Sequence, residues 1–147
     1  EYLKKHKIQF EIIPGITSGI GSATYAGIPL THRKFASSVV FVTGHEDSEK
    51  KKEDVRWKKL AKSTDTIVIM MGLARISKIC KQLSEGGMEK NTPVAVIQDG
   101  TTSKQKMITG TISNIAQKVK QSKIKPPSII IIGKVVSLSK TIGWRKK

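Results

Sequence analysis

Apolar residues fall into short blocks along the chain, and nearly every block stops at a glycine, a proline or a polar turn. Blocks at 38–43, 66–71, 94–98, 106–112 and 128–136 are rich in valine and isoleucine. Branched side chains of that kind suit a pleated surface, so these blocks predict five strands. The runs VVFV, TIVIMM and SIIIIG are apolar almost without interruption, the mark of strands covered on both faces. A further block at 8–13, IQFEII, also reads as a strand and stops at Pro14-Gly15. Between the blocks the apolar spacing changes to that of helices. Residues 16–26 follow the first turn, and 53–62 carries Val55, Leu60 and Ala61 beneath charge. Residues 74–84 end at Gly86-Gly87, and Ile112, Ile115, Ala116 and Val119 form a stripe that ends before Pro126-Pro127. The opening residues read as the end of a helix.

Strands alternating with helices of this length predict an α/β domain: a mixed, mostly parallel five-stranded sheet flanked by helices. The blocks at 94–98 and 106–112 lie too close in sequence for a helical crossover, so that pair is expected to be antiparallel. The chain has 147 residues, enough for one domain with a real core. No internal repeat or low-complexity tract divides it.

Charge changes the picture next. Lys and Arg total 27 against 11 Asp and Glu, a formal net charge of +16, which favours anionic partners or a lysine-rich solvated surface. The basic residues cluster at 50–62, at 118–125 and at Arg145-Lys146-Lys147, on two helix faces and an end rather than along one stripe. Aromatic residues make up 5%, a poor supply for stacking bases, so nucleic acid is not the expected partner. The longest apolar run, Ile129 to Ile132, is strand-sized, and no membrane span is expected. A single cysteine excludes an internal disulfide, and the expected compartment is a reducing cytoplasm. Cys80 shares a helical stripe with Ile76, Ile79 and Leu83 and reads as a packing residue. His6, His32 and His45 stand far apart with no second ligand at metal spacing, so no metal site is expected. The first residue is Glu, not Met, and there is no apolar leader behind it; the expectation is a fragment or processed piece.

Candidate chemistry centres on PGITSGIG, residues 14–21. A dinucleotide fingerprint would need a glycine where Thr24 stands. The cofactor turn of short-chain dehydrogenases would need a Tyr-x-x-x-Lys pair, whereas Tyr2 is followed by His6 and Tyr25 by Pro29. There is no Gly-Lys-Ser/Thr for a phosphate loop, and Ser18 is one place off a nucleophile elbow. A tight turn that lets backbone pack closely accounts for the segment equally well. Thr31-His32-Arg33 is a polar group in a loop that could bind an anion or simply solvate a turn. Thr43-Gly44-His45-Glu46 and Met70-Met71-Gly72-Leu73 each end a strand, where α/β folds place ligand loops.

Taken in order, EIIPGITSGIGSATYAGIPLTHR, VTGHE, IVIMMGL, TPVAVIQDGTTSKQ and SIIIIGKVV resemble the tetrapyrrole methylases, from about Ile8 to Trp144. The resemblance implies two-domain α/β enzymes that hold S-adenosylmethionine folded in the cleft between domains and methylate carbon atoms of a tetrapyrrole, here uroporphyrinogen III on the way to sirohaem and cobalamin, with a later corrin precursor as the alternative substrate. It implies that 1–13 is a remnant of an N-terminal domain and 14–147 the C-terminal domain, with the catalytic residues elsewhere and this piece inactive alone. By motif, Thr17, Ser18, Met71, Gly100 and, as a weaker neighbour, Ala95 correspond to cofactor-binding positions. Thr31, His32 and Arg33 correspond to positions facing the substrate. The family also implies a homodimer.

Overall fold

The computed structural model describes residues 1–44 and 55–144. Residues 53 and 54 of the expected 53–62 helix, the lysines at 50–52, His45-Glu46 and the tail from Arg145 lie outside the described residues, while Val55 and Arg56 are described and precede a helix that starts at Trp57. Among the described residues five strands form one sheet: β1 (Val39–Thr43), β2 (Thr66–Met70), β3 (Pro93–Gln98), β4 (Lys106–Thr111) and β5 (Ser128–Ile132). Their order across the sheet is β1-β2-β5-β3-β4. The mixed five-stranded sheet flanked by helices is as expected, but its parallel share is smaller. Only β1 and β2 are parallel neighbours, while β2–β5, β5–β3 and β3–β4 are antiparallel. The cause is the last strand, which inserts between β2 and β3. The helical crossovers still join strands of like direction, β1 to β2, β2 to β3 and β4 to β5. Like direction simply does not make the latter two pairs neighbours.

The alternation of side chains along each strand serves two apolar layers. Ile67, Ile69, Val94, Val96, Ile130 and Ile132 face helices α3 (Trp57–Ser63), α4 (Ile76–Glu85) and α5 (Ile115–Gln121), meeting Trp57, Ile79, Leu83 and Ile115. Val68, Ala95, Ile97, Ile129 and Ile131 face the other way, against α2 (Ser18–Tyr25) and a 3₁₀ turn at Lys134–Leu138. Cys80 is buried in the first layer, and burial pushes its thiol up to about 11, so it stays protonated and packs as a small apolar group. On the second face α2 sits close to the sheet. A side chain at Gly19 would come within 2.8 Å of the Phe41 ring and 3.0 Å of Val68.

Two further sequence expectations change. The 128–136 strand stops at Ile132, because Gly133 turns at φ 145 and any Cβ there would meet the Asp65 carbonyl at 2.5 Å. Residues 8–13 form no strand, although they follow a short helix α1 (Tyr2–Lys5) as anticipated. Ile12, Ile13 and Ile16 are each more than 80% exposed, at 81%, 83% and 82%. The alternation of Ile8, Phe10 and Ile12 encodes a strand, but among the described residues no neighbour pairs with it. Without a ladder partner an extended segment is not a strand.

Candidate functional site

The carboxyl ends of β2 and β3 point to one edge of the sheet, and β5 enters between them from that edge. Crevices at such edges are where α/β sheets hold ligands. Here α2 starts at the same edge, and a cleft of ≈ 850 Å³ opens between it and the strand ends. Its volume falls in the range of small-molecule sites.

Each wall has a local cause. Thr17 caps α2: its backbone is extended (φ −61, ψ 144), and its hydroxyl accepts from the Gly19 N–H at 3.5 Å. Ser18 and Ser22, one helical turn apart, put two hydroxyls on the flank of α2 that lines the cleft. Across from them stands Gly100. A Cβ there would collide with the Ser22 side chain, so the absence of one is what lets this turn close against the helix. Met71, just past β2, has φ 55 and is 66% exposed. Left-handed backbone is uncommon for such a residue and clusters at functional sites. Gly72 follows it because a side chain there would approach Ile69 to 2.7 Å.

The β3–β4 turn is fixed by its own side chains. Asp99 has φ 48 and Thr101 φ 73. The Gln105 side chain accepts from the Thr101 N–H at 2.8 Å, and its amide donates to the Tyr25 carbonyl at 3.3 Å, tying the turn to the end of α2. The Thr102 hydroxyl donates to the Asp99 carbonyl at 2.8 Å. The remaining wall is Pro126, Pro127 and Ser128, and Ile97 and Ile129 form the apolar floor.

The structure thus brings Ser18, Met71 and Gly100 onto one hollow, with Thr17 behind as the helix cap. Ala95 does not reach it. This residue is fully buried mid-strand, opposite Thr109 and Ile131, and its side chain belongs to the layer beneath α2. The reason is register: Ala95 lies three residues short of the strand end that opens on the cleft. Thr31, His32 and Arg33 lie elsewhere too. Thr31 lines a second, apolar hollow of ≈ 570 Å³ on the other flank of α2, with Ile20, Leu30, Phe41 and Trp144. His32 closes a small turn with Ala36, its Nδ1 accepts from the Lys34 N–H at 3.2 Å, and its ring stacks on Phe35. Arg33 is exposed. Sequence reasoning missed Ser22, Asp99, Thr102 and the Pro126-Pro127 wall. The spacing of Ser18 and Ser22 on one helix face was the signal for the first.

No described group of three His, Cys, Asp or Glu residues gathers as a metal site, and no described helix is long and apolar enough to cross a membrane. The family model described as Tetrapyrrole (Corrin/Porphyrin) Methylases matches residues 1–116. A uroporphyrinogen-III C-methyltransferase of Priestia megaterium is 46% identical over 139 residues, 95% of this chain and 58% of that protein. A siroheme synthase of Nitrosomonas eutropha is 46% identical over 144 residues, 98% of this chain but 30% of that protein. Among solved structures, uroporphyrin-III C-methyl transferase from Thermus thermophilus complexed with S-adenyl homocysteine superposes with a TM-score of 0.77 at 27% identity, over 93% of this chain and 58% of the other. A cobalt precorrin-4 methyltransferase shares the fold, with a TM-score of 0.81 at 24% identity over 92% of this chain and 56% of the other. The chain therefore spans between about a third and about three-fifths of these relatives.

Proposed function

The chain belongs to the tetrapyrrole methylase family, and from that premise we propose that it is the cofactor-binding part of an S-adenosylmethionine-dependent uroporphyrinogen-III C-methyltransferase that makes precorrin-2 for sirohaem and cobalamin. The observation that carries this reading is the cleft at the ends of β2 and β3, where Ser18, Met71 and Gly100 meet. Its chemistry fits the ligand. Hydroxyls on Ser18, Ser22, Thr102 and Ser128 suit a ribose and an amino-acid tail, and Ile97, Ile129 and Leu73 offer an apolar bed for a base. The flexible thioether of Met71 can cover a flat ring.

When bound, S-adenosylmethionine supplies a methyl group made electrophilic by the sulfonium. The task of these residues is positional, since alignment of two reactants can carry much of such a barrier. The capped start of α2 fixes Ser18, and the Gln105 clasp fixes Gly100 against Ser22. Thr31, His32 and Arg33 are assigned to the substrate side, where an exposed guanidinium can grip a carboxylate with two parallel hydrogen bonds. Ala95 contributes by packing beneath α2.

In this reading residues 1–13 end a preceding domain and 14–147 form the C-terminal domain, which supplies one side of the cleft. The greater length of the relatives and the exposed apolar stretch around Ile12 support that division. The protein works in the cytoplasm, where a lone reduced Cys80 is stable, and as a homodimer. The test is titration calorimetry of the full-length protein with S-adenosylhomocysteine, together with methylation of uroporphyrinogen III. Saturable binding at one site per chain and appearance of precorrin-2 are expected. Absence of binding would reject the cofactor site, and binding without methylation would reject the substrate.

A further inference from the structure

We propose that Asp99 sets the charge preference of the cleft, favouring the cationic sulfonium ligand over the neutral thioether that remains once the methyl has gone. The inference rests on the cofactor site proposed above and adds to it a residue that decides between two states of the same ligand.

Asp99 is the only ionisable side chain among the described residues that line the cleft; the others are hydroxyl-bearing, apolar or glycine. It is held in place from several directions. Gln98, the last residue of β3, donates from Nε2 to one Asp99 carboxylate oxygen at 2.8 Å, and its Oε1 accepts from the Lys125 N–H at 2.8 Å. The Asp99 N–H donates to the Pro127 carbonyl at 3.2 Å. One glutamine side chain thus joins the two walls at 99–102 and 125–128 and anchors the carboxylate between them. Gln98 is a positioning residue, and Asp99 the group it positions.

The surroundings make a fixed negative charge matter. The chain carries a formal +16, so a cation approaching it meets an adverse field. Lys125, whose backbone N–H meets the Gln98 side chain, is next in sequence to cleft-lining Pro126. Against this background one carboxylate in the cleft lowers the energy of a bound cation and does little for a neutral molecule of the same shape. Unit charges within about 10 Å, at the effective dielectric of a partly solvated site, alter an affinity on the order of tenfold. The sulfonium and the thioether differ by one methyl and one positive charge, so the preference would ease exchange of spent cofactor for fresh.

The experiment compares the full-length wild-type protein with Asp99→Asn by calorimetry. The probes are S-adenosylhomocysteine and a non-transferable analogue with a protonated amine in place of the methyl-sulfonium. Asparagine keeps the shape and the acceptor for Gln98 and tolerates a left-handed backbone. The expected result is a loss on the order of tenfold for the cationic analogue, a change under about threefold for S-adenosylhomocysteine, and an unchanged melting temperature. Equal weakening of both ligands, or of neither, would overturn the charge role while leaving the cofactor site standing. Failure of the wild type to bind either ligand would remove the cofactor site, and this inference with it. Asp99→Ser provides a second neutral variant should the first not fold.

Discussion

Asp65 illustrates how one side chain can hold two strands in register. One of its carboxylate oxygens accepts from the Ser37 N–H at 2.9 Å, the Ser37 hydroxyl at 3.1 Å, the Ser38 N–H at 3.1 Å and the Ser38 hydroxyl at 3.0 Å. Those bonds join the entry of β2 to the entry of β1. They favour the ionised form, the Ser37 backbone bond most, and hold the carboxyl below its ordinary value of 3.8. A lowered folded pKa contributes stability that is complete above the unfolded value and is lost as pH falls through the folded one. The wild type should therefore lose melting temperature below pH 3.8 more steeply than Asp65→Asn, which lacks this titration. Thermal unfolding of both proteins from about pH 5 down to about pH 2.5 measures the difference, and parallel curves would refute it. At this scale the sequence is only partly readable. Met71 and Gly100 stand in short motifs that stop at strand ends, and both line the cleft. Asp65 stands in no motif, and Gln98, though inside TPVAVIQDGTTSKQ, owes its role as Asp65 does to partners 27 or 28 residues away. Ala95 shows the converse, since a plausible letter in a strand cannot reveal how far it lies from the open end.

The element that decides the architecture is β5. Four of its residues, Ile129 to Ile132, are buried between β2 and β3 and serve both apolar layers in alternation. Ile131, fully buried, sits opposite Val68 on one side and Ala95 on the other. Truncation to alanine there leaves a cavity that neighbouring strands cannot close without losing ladder bonds. Ile131→Ala should cost about 2–5 kcal/mol, read as a lower urea midpoint with unchanged slope. Trp57, 3% exposed in the opposite layer, is a fluorescence reporter that the substitution does not touch. A loss under about 1 kcal/mol would mean that β5 does not hold the sheet together. Strand positions were legible because an isoleucine run that stops at a glycine has few other fates. Strand order was not, because insertion of the last strand in the middle depends on pairing across the whole chain. Local periodicity carries direction through the helical crossovers and leaves adjacency undetermined.

For the whole molecule the unsatisfied feature is the segment at 8–13. Its letters ask for a strand, yet Ile8, Phe10, Ile12 and Ile13 are 49%, 51%, 81% and 83% exposed. Isolated apolar exposure is ordinary, and the Ile8 N–H is already bonded to the Leu3 carbonyl at 3.0 Å, but an alternating apolar run without a ladder partner is a sheet edge waiting for a neighbour. The chain covers 58% of the Priestia megaterium relative it matches at 46% identity, so that relative carries further chain. If residues 1–13 close a preceding domain, their amides should behave differently in the two settings. Hydrogen exchange on the isolated 147-residue chain should label residues 9–13 almost at once, while β2, β3 and β5 stay protected. In the full-length protein the same residues should gain protection by at least tenfold, as ladder hydrogen bonds would require. Equal, rapid labelling in both proteins would refute the domain assignment, whatever the cleft binds.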